Sequence, residues 1–261
     1  LKLIFSLQIA INMNLQESSL IALDIAEKPI TVGEMVVADY RKAEVFRKFG
    51  IDYCCGGKKP LDEICRQKKL NQADIQMELD ALDQTPAPAD HNFQEWPLDT
   101  LADYIEERHH QYVTASLPIL NELTAKVARV HGERHPELVD IARHYQAVAQ
   151  ELQMHMHKEE RVLFPFIRKM QDAKRNGAPV PIPVFGSVAN PIQMMEAEHE
   201  SAGGAMEAIR TLSQDYTPPQ DACTSYRVLF AKLQEFEQDL HQHVHLENNI
   251  LFPKAIAMEM A

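Results

Sequence analysis

Glu151 to Pro165 reads ELQMHMHKEERVLFP, and 88 positions later Asp239 to Pro253 reads DLHQHVHLENNILFP. Each copy carries an acidic residue and a leucine, then H-x-H-x-E, then L-F-P. His155, His157, Glu159 and Pro165 therefore correspond to His243, His245, Glu247 and Pro253. A residue four places along an α-helix lies about 40° around and one turn up, so His155 with Glu159, and His243 with Glu247, can each aim an imidazole and a carboxylate at one ion. His157 and His245 stand two places from those histidines, about 200° around the helix, and should face away from such a centre. A single H-x-x-x-E is most often a solvated pair. Its duplication together with its surroundings makes it a metal-ligand pattern.

A repeat of this period predicts two helical hairpins rather than a solenoid, whose units are shorter, so the partner helices should also supply ligands. His110 in EERHHQYVTASLP and His199 in MEAEHESAGGAM are 89 positions apart, close to the period of the longer repeat. His109 competes with His110 and would point about 100° away from it. His91, His131, His135, His144 and His241 have no counterpart at this spacing and are assigned to surface or capping roles. Four imidazoles and two carboxylates suit two first-row transition ions, each with two histidines and both sharing the carboxylates as bridges. Zinc usually takes one tetrahedral site, and calcium or magnesium demands more oxygen, so iron leads and manganese follows.

Four segments must position these groups: about 98–130, 136–173, 191–216 and 221–260. GAPVPIPVFG and TPP break the chain between the second and third and between the third and fourth. No stretch reads as a strand. The expected fold is all-α, an antiparallel four-helix bundle with short connections. Pro165 and Pro253 each stand six residues after a ligand glutamate. An interior proline costs about 3 kcal/mol, so a kink or helix irregularity is expected at both.

Ahead of the bundle, residues 30–84 read as a small helical domain. Thr31 and Glu34 form a capping-box pattern, Gly50 ends the first segment, and Pro60 opens another helix with Leu61, Ile64, Leu70, Ile75 and Leu79 on its apolar face. Between these segments lies Y-C-C-G-G. Adjacent Cys54 and Cys55 are poorly placed to bond to each other, since their Cα atoms are only about 3.8 Å apart. Lys58 and Lys59 are expected to favour thiolates and raise reactivity; a tight turn with small buried side chains is the plainer alternative. Cys65 and Cys223 fall outside the pair and read as structural. Residues 85–97, TPAPADHNFQEWP, form the linker, and 98–261 the bundle domain.

A net charge of -12 opposes nucleic acid or an anionic membrane as the main partner, and no apolar run approaches the roughly 20 residues that span a bilayer. Four unevenly spaced cysteines argue against a disulfide framework and for a reducing compartment, the cytoplasm. Residues 1–29 are an N-terminal extension whose opening LKLIFSLQIAINMN could pass for a weak signal peptide without a clear cleavage site, or for a translation start placed ahead of Met13.

IDYCCGGKKPL, E-x-H-E, HMHKEERVLFP and HVHLENNILFP together resemble the RIC (repair of iron centres) family, which joins a short ScdA-type cysteine domain to a haemerythrin-like di-iron bundle. The resemblance runs from about residue 30 to the end of the chain. It implies His110, His155, His199 and His243 as terminal ligands, Glu159 and Glu247 as bridging carboxylates, and two iron ions, oxo- and carboxylate-bridged. It also favours His110 over His109, through the spacing to Leu117-Pro118. The implied activity is repair of iron-sulfur clusters damaged by nitrosative or oxidative stress, by iron donation, with proteins carrying such clusters as partners and a homodimer left open. Cys54 and Cys55 would then act as functional thiols. Reduction of nitric oxide or another small oxidant, and oxygen carriage or sensing, are the alternatives; a plain oxygen carrier needs no thiol module.

Overall fold

The computed structural model describes residues 29–84 and 92–261; the N-terminal extension, His91 and the first half of the linker lie outside the described residues. Thr31–Ala261 packs as one compact unit. Among the described residues the regular structure is helical, joined only by an isolated bridge between Thr31 and Pro60.

Four short helices come first: α1 (Val32–Ala38), α2 (Lys42–Lys48), α3 (Leu61–Lys68) and α4 (Gln72–Asp83). Thr31 caps α1 by accepting from the Glu34 N–H, and the Glu34 carboxylate returns the bond to the Thr31 N–H. Such a box contributes about 1 kcal/mol. The single helix expected after Pro60 is two, because Lys69 adopts a left-handed conformation (φ 57°) and Asn71 starts a new helix by capping the Ala73 N–H.

The bundle follows. Helix α5 runs through Leu98–Tyr104, a π-helical segment Ile105–His110, and Gln111–His131; α6 through Glu137–Lys158, a π-helical segment Glu159–Leu163, and Phe164–Arg175. Helix α7 is Ala189–Leu212, and α8 comprises Thr224–Leu246, a π-helical segment Glu247–Leu251, and Phe252–Glu259. The irregularity expected at Pro165 and Pro253 is thus a π turn just before each proline. A proline ring clashes with the carbonyl four residues back, and the wider turn relieves this: the Phe164 N–H reaches Glu159 and the Phe252 N–H reaches Glu247, both five residues back. No comparable signal announces the π turn before Gln111.

Two apolar cores fill the unit. One joins Val36, Phe46 and Ile75 of the small helices to Val113, Met156, Ala202 and Val244 of the bundle; the other gathers Ile105, Leu163, Met195 and Leu246 at its far end. The chain passes between these cores in opposite senses on successive long helices, which makes the bundle antiparallel. On each helix the change of core falls at His110, at His155 to Glu159, at His199 or at His243 to Glu247. A buried polar band therefore crosses the bundle between two apolar cores.

Candidate metal centre

Six fully buried side chains make up this band. His110, Glu159, His243 and Glu247 form one group and His155, Glu159, His199 and Glu247 a second, with the ligand atoms in each group within 4.8 Å of one another. The two groups share both glutamates. In the first, His110 Nε2 lies 3.2 Å from His243 Nε2; in the second, His199 Nε2 lies 2.9 Å from His155 Nε2. Glu247 presents Oε1 to His243 Nε2 at 3.1 Å and Oε2 to His199 Nε2 at 3.1 Å, one oxygen to each group. Glu159 Oε2 is approached from both sides, by His155 at 3.2 Å and His110 at 3.4 Å.

The π turns follow from this geometry. Glu159 and Glu247 each end a regular α-helical turn that began at His155 or His243, so the four-residue spacing keeps imidazole and carboxylate together. The π turn begins at the glutamate itself. Such turns recur at functional sites because one extra residue re-aims the side chains around it.

Outside the band, three of the four imidazoles are held by their other nitrogen. His110 Nδ1 bonds Glu160 at 2.9 Å, His155 Nδ1 bonds Glu198 at 2.9 Å, and His199 Nδ1 bonds Asn248 at 2.8 Å. Lys158 in turn pairs with Glu198. An Nδ1–H donated outward leaves Nε2 as a bare lone pair facing inward, the arrangement found around metal-bound histidine.

Two such lone pairs facing each other near 3 Å repel unless a cation or a proton lies between them. Two nitrogens about 2.1 Å from one ion and at right angles to each other would stand about 3 Å apart. Glu159 Oε1 is buried with no hydrogen-bond partner, and Glu159 Oε2 and Glu247 Oε2 meet imidazole nitrogens without an aligned hydrogen bond, an expensive state for carboxylate oxygens unless they bind something. The donor set fits bound metal. Burial pushes the Glu159 carboxyl up, as does Glu247, but His155 and His110 outweigh both and hold it below the usual carboxylate range. Burial pushes His155 down, while the charge of Glu159 and its contact lift it to about 9.

The structure brings His110 into this cluster and leaves His109 outside it. His109 is also buried, bonds Asp239 through Nδ1 at 3.0 Å, and stacks on the His243 ring with centroids 5.6 Å apart. His157 is exposed, as a residue turned away from the band should be. His245 is turned away too, but it is buried against Tyr53 and Tyr40 and meets Asn249. His131 does not fit the surface role, being buried with its Nε2 3.1 Å from Cys223 Sγ, while half-buried His135, just ahead of α6, bonds Glu137 and Asp221. The outer partners Glu160, Glu198, Asn248 and Asp239 were missed by spacing arguments, although Glu160 and Asn248 are equivalent positions of the repeat.

Cys54 and Cys55 form a separate cluster with Asp52. The Asp52 carboxylate accepts the Cys54, Cys55 and Gly56 N–H groups and the Cys54 thiol, whose sulfur is 3.0 Å away. The expected lysine activation is not found at Cys54. Lys58 pairs with Glu196 at 2.7 Å and Lys59 bonds Gln67, while Cys55, burial and Asp52 push the Cys54 thiol well above its ordinary value. The turn packs directly on the bundle. The Asn249 amide donates to the Tyr53 and Cys54 carbonyls at 3.4 Å each, and Cys55 Sγ is 3.8 Å from where a Cβ on Gly203 would stand. Asn249 follows Asn248, which holds His199, and Gly203 lies one turn beyond His199.

Residues 101–255 match the family described as Hemerythrin HHE cation binding domain, and residues 29–83 match ScdA_N, a domain of unknown function. The chain is 37% identical over 229 residues to the iron-sulfur cluster repair protein YtfE of Musicola paradisiaca (strain Ech703), covering 88% of this chain and 97% of that protein. It is 35% identical, with the same coverage, to the proteins of that name from Yersinia pestis (strain Pestoides F) and Yersinia pseudotuberculosis serotype IB (strain PB1/+). With both domains matched in order and nearly the whole length of these relatives covered, the chain belongs to the iron-sulfur cluster repair family of haemerythrin-domain proteins.

Proposed function

We propose that this chain holds two iron ions between α5, α6, α7 and α8 and donates iron to restore iron-sulfur clusters damaged by nitrosative or oxidative stress in other proteins. The single observation that carries the reading is the shared pair of carboxylates: Glu247 offers one oxygen to each histidine pair, and Glu159 is approached by a histidine of each. His110, His155, His199 and His243 would bind through Nε2, and Glu159 and Glu247 would bridge. When bound, iron supplies redox and Lewis-acid chemistry in a site that first-row ions with mixed imidazole and carboxylate ligands favour.

The chain's own residues set the conditions for holding and releasing that cargo. Glu160, Glu198 and Asn248 fix three imidazole tautomers. The two apolar cores on either side of the band keep water from competing for the ligands. The Cys54–Cys55 turn packs over α7 and α8, with Cys55 the more exposed of the two thiols, and is the side from which iron would pass to a client cluster. The four free cysteines suit a reducing compartment, the cytoplasm.

The test pairs iron per chain with reactivation of an iron-sulfur enzyme previously damaged by nitric oxide. Changing Cys54 and Cys55 together to Ser should leave iron content and visible spectrum nearly intact and abolish reactivation, whereas Glu247→Ala should lose both. Consumption of nitric oxide with no transfer of labelled iron to the client would overturn the donor reading in favour of a small-oxidant reductase.

A further inference from the structure

The duplication extends beyond the ligands, and it fails at one place. Under the 88-residue offset Glu160 corresponds to Asn248, and under the 89-residue offset of the partner helices His110 corresponds to His199. The contacts obey the same relation: Glu160 holds His110 Nδ1 and Asn248 holds His199 Nδ1. By the same offsets Glu198, which holds His155 Nδ1, corresponds to His109, which faces His243. His243 Nδ1 is buried and has no hydrogen-bond partner. What meets the His243 ring instead is the face of His109, interplanar angle 6°. Asp239, one turn before His243 on α8, fixes that face by accepting from His109 Nδ1.

We propose that His109, anchored by Asp239, is the positioning residue for His243, occupying the place that Glu198 occupies for His155; the proposal rests on the di-iron reading above. A carboxylate acceptor both orients an imidazole and raises its basicity, whereas a stacked ring, which accepts no hydrogen bond from it, only orients it. The two halves of the centre are therefore unequal. The half held by His110 and His243 is the weaker, and it gives up its metal first.

The experiment compares two double variants of the full chain that differ only in the ring: His109→Ala with Asp239→Leu, and His109→Phe with Asp239→Leu. Both remove the carboxylate that loss of the imidazole would leave unpaired. Iron release into a chelator is followed by absorbance, with the spectrum of the retained iron and far-UV circular dichroism as independent readouts. The alanine pair should release one of two irons about tenfold faster than the parent chain, within the range lost with an outer-shell partner, while the phenylalanine pair stays within about twofold of it. Equal release from the two variants overturns the proposal. If the alanine pair does not fold, the phenylalanine pair decides alone: release at the parent rate supports the proposal and tenfold release overturns it. A parent chain that binds fewer than two irons overturns the di-iron reading, and the proposal with it.

Discussion

Two histidines at matching positions of the repeat have opposite surroundings, and their substitution should separate metal binding from packing. His157 is exposed and His245 is buried beneath Tyr40 and Tyr53. His157→Ala should change stability by no more than about 0.5 kcal/mol, and His245→Ala should lower it by about 1–3 kcal/mol. Neither should reduce iron per chain as Glu159→Ala or Glu247→Ala does, which metal analysis beside urea unfolding would show. Cys54 gives a second residue-scale test. Cys55, burial and Asp52 raise its thiol well above the ordinary value, so between those two values the native chain keeps a proton that the unfolded chain has lost. Its contribution to stability is therefore complete below the ordinary thiol range and declines as pH rises through the raised value. Alkylation of Cys54 should correspondingly be slow at neutral pH and accelerate in alkali, read by mass spectrometry of the labelled peptide.

At the scale of elements, glycines set how closely α1 and the cysteine turn approach α8. A Cβ on Gly33 would stand 2.4 Å from Asn249 Oδ1 and 3.0 Å from the Gly57 carbonyl, and one on Gly57 would stand 2.2 Å from the Tyr53 carbonyl. The obstacle at Gly33 includes a side chain that can turn aside, while at Gly57 it is backbone of the same turn. Gly57→Ala should therefore destabilise more than Gly33→Ala, by about 1–3 kcal/mol. Gly33→Ala should instead loosen the contact of Asn249 with the Tyr53 and Cys54 carbonyls. Urea midpoints compare the two, and proteolysis within residues 50–60 reports the loosening. A Gly57→Ala chain as stable as the parent would mean that the turn can shift without leaving the bundle.

For the whole molecule, the question is whether the bundle depends on the helices that precede it. All six candidate ligands and their outer partners lie on α5 to α8, yet one apolar core runs continuously from α1–α4 into the bundle. Phe93 is buried and in ring contact with Trp96 and Tyr104, and Lys254 donates to the Gln94 and Trp96 carbonyls. We propose a boundary just ahead of Asn92 rather than at Leu98. A chain beginning at Asn92 should keep the iron content of the full chain but unfold at lower urea, because His245 loses the cover of Tyr40 and Tyr53. Loss of iron from a folded fragment would show that the small helices help to hold the centre.

The sequence alone determined the helical class, the four long segments and five of the six residues that converge, because a metal-binding helix fixes ligand type and spacing within a few residues and the chain carries that pattern twice. It determined the need for an irregularity at Pro165 and Pro253, since a missing N–H and a ring clash are local facts. Three other features were decided only by tertiary structure. One is the choice between His109 and His110, which depends on a π turn in α5 that no proline announces. Another is the state of Cys54, whose neighbouring lysines in the chain bond to Glu196 and Gln67 while Asp52 lies against the thiol. The last is what stands beside the outer faces of His155 and His243, where corresponding positions carry Glu198 and His109. Spacing along one helix reports which side chains share its face, but not what stands across from them, because that is set by the packing of residues more than forty positions apart.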